Sequence, residues 1–109
     1  ALTKLDVLDG LSEIPICVGY STPSGQLTEF PADLRLLATA TPIYESMPGW
    51  SSPTKGVTRF EALPGEAQRY VRKLEQLTGV PCAIISTGSD REETIIAPGS
   101  VVEKWLAFA

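Results

Sequence analysis

The strongest constraint on the fold is one amphipathic stretch at residues 64–78, opened by Pro64 and followed by Gly79. Proline suits a first helical turn because its missing N–H would be unsatisfied there in any case. A glycine just past the last turn accepts the left-handed conformation that commonly ends a helix. Between them Ala67, Tyr70, Val71, Leu74 and Leu77 recur at three- and four-residue steps and define one apolar face. Arg69, Arg72, Lys73, Glu75 and Gln76 are its solvated side.

The other apolar runs have strand length. Residues 2–8 alternate apolar and polar and read as the end of a strand passing into a turn at Asp9-Gly10. Residues 13–20 form a largely buried strand, and Thr22-Pro23-Ser24-Gly25 turns it into a return strand at 26–30. Residues 34–41 read as strand or irregular. A short strand at 42–47 leads into Pro48-Gly49-Trp50, with Trp50 as a partly buried anchor for the loop at 51–59. Residues 81–86 and 93–97 are strands, antiparallel because their connection is short. Residues 99–109 form a short helix capped by Ser100, with Val101, Val102, Trp105, Leu106 and Phe108 as its apolar surface. The fold class is α/β: mostly antiparallel strands, one main helix and a short C-terminal helix, in a single segment spanning 1–109.

Composition narrows the function classes. With 43% hydrophobic residues and charges of both signs, the chain is globular rather than disordered. A net charge of −4 with scattered basic residues gives no electrostatic case for nucleic acid or a membrane surface. No apolar stretch approaches the ~20 residues of a spanning helix. Cys17 and Cys82 sit in apolar runs and read as buried free thiols of a reducing, cytoplasmic compartment. The chain opens at Ala1, inside a structured run, and its one methionine is Met47. The expectation is an end piece of a longer protein.

There is no histidine, which removes imidazole-based catalysis and metal binding. Glycine-rich phosphate loops of either common pattern are absent too. Asp6, Asp9, Glu13, Glu45 and Asp90 occur singly, so no acid–base pair stands out. No catalytic residue and no metal site are assigned. Arg91 is read as a surface salt-bridge partner, and Lys55 and Arg59 carry no role.

The informative chemistry is Thr3-Lys4-Leu5-Asp6 taken with Ser86-Thr87-Gly88. Guanine presents two neighbouring donors, the ring N1–H and the exocyclic amine, and one carboxylate accepts both. Adenine lacks that pair and would leave the carboxylate unpaired. Asp6 is therefore a guanine selector. Lys4 can lay its methylene stem along the purine while its ammonium stays solvated. Ser86 and Gly88 can supply hydroxyl and backbone groups on the other side of the base.

The segments around these motifs carry a family resemblance. Leu2-Thr3-Lys4-Leu5-Asp6-Val7-Leu8-Asp9-Gly10-Leu11, Cys17-Val18 with Tyr20, Pro42-Ile43-Tyr44-Glu45-Ser46-Met47-Pro48-Gly49-Trp50, Leu77-Thr78-Gly79-Val80-Pro81 and Ile84-Ile85-Ser86-Thr87-Gly88-Ser89-Asp90-Arg91 follow in that order. Together they resemble adenylosuccinate synthetase over roughly residues 1–96. The resemblance implies a C-terminal part of that enzyme, completing a larger mixed sheet supplied upstream. It implies GTP-dependent joining of IMP and aspartate in AMP synthesis, with Mg2+ and the catalytic residues outside this segment, in a homodimer. It implies that Lys4, Leu5, Asp6, Ser86, Thr87 and Gly88 contact the guanine end of GTP. Ser89 departs from the family's usual proline, and the tail from Pro98 departs from the usual ending. The rival expectation is a free-standing, non-catalytic module that binds guanine nucleotides or serves a structural role.

Overall fold

The computed structural model describes residues 1–107, which divide into two compact units, residues 13–47 and residues 1–12 with 48–107.

In the first unit, β1 (Glu13–Thr22) and β2 (Gly25–Leu27) form the expected hairpin, in the register Tyr20↔Leu27, Ser21↔Gln26 and Thr22↔Gly25. Ile14 and Ile16 are buried and alternate with exposed neighbours, the period-2 pattern of a half-buried strand. The Thr22 hydroxyl donates to the Gly25 carbonyl at 2.7 Å and closes the turn, where Gly25 takes φ 124°. The stretch read as strand or irregular is a helix, α1 (Leu34–Thr39). Its signal was Asp33, whose carboxylate accepts the Arg35 N–H at 2.8 Å as an N-cap. After it, β3 (Thr41–Pro48) joins the sheet in the order β2-β1-β3. Cys17 on β1 is exposed, not buried.

The second unit is built on α2 (Gly65–Thr78), the helix expected from the sequence, which ends at Gly79 with φ 70°. Ala67 and Val71 are fully buried, whereas Leu77 at the far end is 44% exposed. Burying a side chain such as Val71 contributes about 1.5–3 kcal/mol. Two residues read as solvated do more than face water. Arg72 stacks on the Phe60 ring at 4.3 Å and pairs with Glu75 at 2.7 Å, and Glu75 accepts the Cys82 N–H at 2.8 Å. The Arg72 contact first, then the Cys82 N–H, hold the Glu75 carboxyl below its usual range.

A hairpin of β4 (Ile84–Ser86) and β5 (Thr94–Ile96) packs its central pair, Ile85 and Ile95, into the core. Cys82 lies before β4, half-buried, and burial raises its thiol pKa. α3 (Val101–Leu106) is capped by Ser100, whose oxygen accepts the Glu103 N–H. Its Val101, Trp105 and Leu106 are at least half exposed, and Phe108 lies outside the described residues.

Residues 2–8 depart most from expectation. Only Leu2 makes a strand-like contact, a parallel bridge to Ile85, and Leu5–Leu8 is a turn of 3-10 helix. The switch occurs at Lys4, the one described non-glycine residue with positive φ (59°, ψ 41°). A left-handed residue breaks a strand, because the next peptide no longer follows the extended path.

Candidate functional site

The site begins with the bridge. Leu2 N–H donates to the Ile84 carbonyl at 2.8 Å and Ser86 N–H to the Leu2 carbonyl at 2.9 Å. This pairing puts Thr3-Lys4-Leu5-Asp6 directly beside Ser86-Thr87-Gly88. Lys4 N–H then donates to the Ser86 hydroxyl oxygen at 2.9 Å, a bond its left-handed conformation makes available.

Thr3, Lys4, Asp6, Val7, Ser86, Gly88 and Ser89 line one cleft of about 420 Å³. That lies within the roughly 300–1,000 Å³ of small-ligand sites. The two motifs thus meet at a single concavity. The Asp6 carboxylate has no hydrogen-bond or ion-pair partner among the described residues, so its acceptor capacity is open to a ligand. Val7, 67% exposed, adds an apolar wall.

The other two residues assigned to base contact face the core with their side chains. Leu5 is 1% exposed and anchors the 3-10 turn from below. Thr87 is fully buried, and its hydroxyl donates to the Val57 carbonyl at 2.8 Å. Their backbones belong to the two segments that flank the cleft, but neither residue lines it.

Gly88 is packed against Glu93. A Cβ there would overlap the Glu93 carboxylate, which also accepts the Asp90 N–H at 3.1 Å. The Thr87 N–H donates to the Glu93 carbonyl at 2.8 Å. Glu93 thereby gathers the 88–92 loop from two sides. Arg91 is exposed and forms no ion pair among the described residues, contrary to the surface salt bridge expected of it.

Asp9, read from the sequence as part of a turn and as one of the carboxylates that occur singly, accepts three hydrogen bonds from Trp50 and Thr54. Its Oδ1 accepts the Trp50 indole N–H and the Thr54 hydroxyl, each at 2.7 Å, and its Oδ2 accepts the Thr54 N–H at 2.7 Å. Burial raises its pKa, but the Thr54, Trp50 and Lys55 hydrogen bonds together outweigh it and hold the carboxyl below the usual aspartate range. Trp50, 3% exposed, is the loop anchor expected of it and stacks at a tilt on Tyr70, 5.8 Å away. No local pattern announces this network, since Asp9 and Thr54 are 45 residues apart.

Among the described residues no three His, Cys, Asp or Glu side chains cluster so as to hold a metal ion, and no helix is long and apolar enough to cross a membrane.

Comparison with known proteins shows the family and the fold. The family model described as adenylosuccinate synthetase matches residues 1–95. The adenylosuccinate synthetase of Saccharophagus degradans is 56% identical over 95 residues, covering 87% of this chain and 22% of its own length. That of Neisseria gonorrhoeae is 50% identical over 96 residues, with the same coverage. A solved structure, fully ligated adenylosuccinate synthetase from Plasmodium falciparum, superposes with a TM-score of 0.81 at 33% identity, covering 88% of this chain and 24% of that one. The chain spans about a fifth of the length of the curated relatives it matches.

Proposed function

The chain belongs to the adenylosuccinate synthetase family, and from that premise we propose that it is the guanine-reading, C-terminal part of a GTP-dependent ligase joining IMP and L-aspartate. The observation that carries this reading is the unpartnered Asp6 carboxylate, set in one cleft with Lys4, Ser86 and Gly88. A carboxylate with open lone pairs accepts the two adjacent donors of guanine and finds no such pair on adenine. The Lys4 stem supports the purine face, and Ser86 and Gly88 flank it.

Among the described residues Lys4 is the one cation lining the cleft, so in this reading the triphosphate extends beyond it toward other groups of the synthetase. The segment works by orientation. Binding energy gathered at the base holds the nucleotide so that its γ-phosphate meets the substrate. The proposal includes Mg2+ as the nucleotide's counter-ion, bound outside these residues, and a cytoplasmic homodimer as the working form.

The test is Asp6→Ala in the complete synthetase that carries this segment. The expected result is a large rise in KM for GTP and loss of preference over ATP, with the maximal rate less affected. Retention of the GTP preference would overturn the reading.

A further inference from the structure

Residues 54–57 form a tight turn, closed by the Val57 N–H on the Thr54 carbonyl at 3.0 Å with Gly56 at φ 79° in its third position. This turn lines no part of the base cleft, yet it is bonded to both of the chain segments that do. One end is fixed by Asp9, whose carboxylate takes both the N–H and the hydroxyl of Thr54. The other is fixed by Thr87, whose hydroxyl donates to the Val57 carbonyl at 2.8 Å and whose carbonyl accepts the Gly56 N–H at 3.3 Å. Asp9 stands three residues after Asp6, and its N–H closes the same 3-10 turn by donating to the Asp6 carbonyl at 3.1 Å. Thr87 stands between Ser86 and Gly88. Thr54 and Thr87 are both fully buried, and no buried polar side chain among the described residues lacks a partner.

Resting on the guanine reading above, we propose that Asp9 and Thr87 are positioning residues for base recognition. They act through the shared 54–57 turn, which sets the separation of the Asp6 carboxylate from the Ser86–Gly88 edge. The 3-10 turn bearing Asp6 is then clamped at both ends, by Lys4 on Ser86 and by Asp9 on Thr54. The Thr54 clamp uses donors of a fully buried residue, which would be costly to leave unpaired, whereas the Lys4 clamp lies at the exposed rim. A base recognised by two adjacent hydrogen bonds tolerates little displacement of the acceptor.

The test compares Thr87→Val, Thr87→Ser and Asp9→Asn in the complete synthetase, with Asp6→Ala as reference. Asparagine keeps one acceptor where Asp9 uses two, and valine keeps the shape of Thr87 but loses its hydroxyl. KM for GTP is expected to rise about 10-fold or more in Thr87→Val and Asp9→Asn, with KM for IMP within about twofold of the parent. Thr87→Ser restores the donor and should return KM for GTP close to the parent value. A purely structural role would lower the melting temperature and the active fraction and leave KM for GTP alone, and that result overturns the proposal. Should Asp9→Asn fail to fold, Thr87→Val decides the matter by itself. If Asp6→Ala loses the GTP preference while these variants keep their KM, this inference alone fails. If Asp6→Ala keeps the preference, the guanine reading falls and takes this inference with it.

Discussion

The Lys4 backbone N–H donates to the Ser86 hydroxyl oxygen across 2.9 Å, joining residues 82 positions apart at the head of one cleft. The bond depends on the left-handed conformation of Lys4 and on the Leu2–Ile85 bridge that brings the two segments side by side. Asp6, two residues on, owes its place beside Ser86 and Gly88 to that junction.

Lys4 allows backbone and side-chain roles to be separated. An L-residue in the left-handed region costs about 1–2 kcal/mol, and glycine removes that cost while adding about 0.5–1 kcal/mol of chain entropy. Lys4→Gly should therefore keep stability within about 1 kcal/mol of the parent, as read by urea denaturation. It should still weaken GTP binding, because the stem over the purine is gone. Lys4→Pro removes the N–H and fixes φ near −65°, so it should damage both stability and binding.

Asp9 makes stability depend on acid in a predictable direction. Its folded pKa lies below the ordinary value that an aspartate has in the unfolded chain, so the unfolded state takes up a proton first as pH falls. The stabilisation is fully present above that value and is lost progressively as pH drops through the lowered folded pKa. Urea midpoints measured from about pH 6 down to about pH 2.5 should show this loss, and Asp9→Asn should be less stable at neutral pH with a flatter acid limb.

Ile85 is 1% exposed, pairs with Ile95 across the hairpin and bridges to Leu2. Ile85→Ala should destabilise by about 2–5 kcal/mol, from lost transfer energy plus the cavity left behind. Denaturant titration measures this, and the peptide N–H groups of Leu2 and Ser86 should lose hydrogen-exchange protection together.

Gly49 donates its N–H to the Ser12 carbonyl at 2.9 Å, and a Cβ at this position would overlap the Leu11 carbonyl. Neither partner is a flexible side-chain end, so backbone must shift. Gly49→Ala should cost about 1–3 kcal/mol in urea unfolding, on the scale of overpacked sites. An unchanged midpoint would show that residues 11–12 yield easily.

Sequence alone determined the elements whose causes are local. The α2 helix carries its own periodicity and terminal glycine, the two hairpins carry their turn residues, and Ser100 marks the start of α3. The guanine-selecting role proposed for Asp6 also starts from the sequence, because it rests on the chemistry of one side chain. α1 was missed although Asp33 signals it, since six residues give too short a window for periodicity to separate helix from strand. Tertiary structure decided the rest of the site. The strand end expected at residues 2–8 gave way to a 3-10 turn whose two ends are held by Ser86 and by Thr54, far along the chain. The same distance explains why Thr87 turned inward while its neighbours lined the cleft: which side of that segment faces the cleft and which faces the core is set by what packs beneath it, and that partner, the 54–57 turn, is adjacent only after folding.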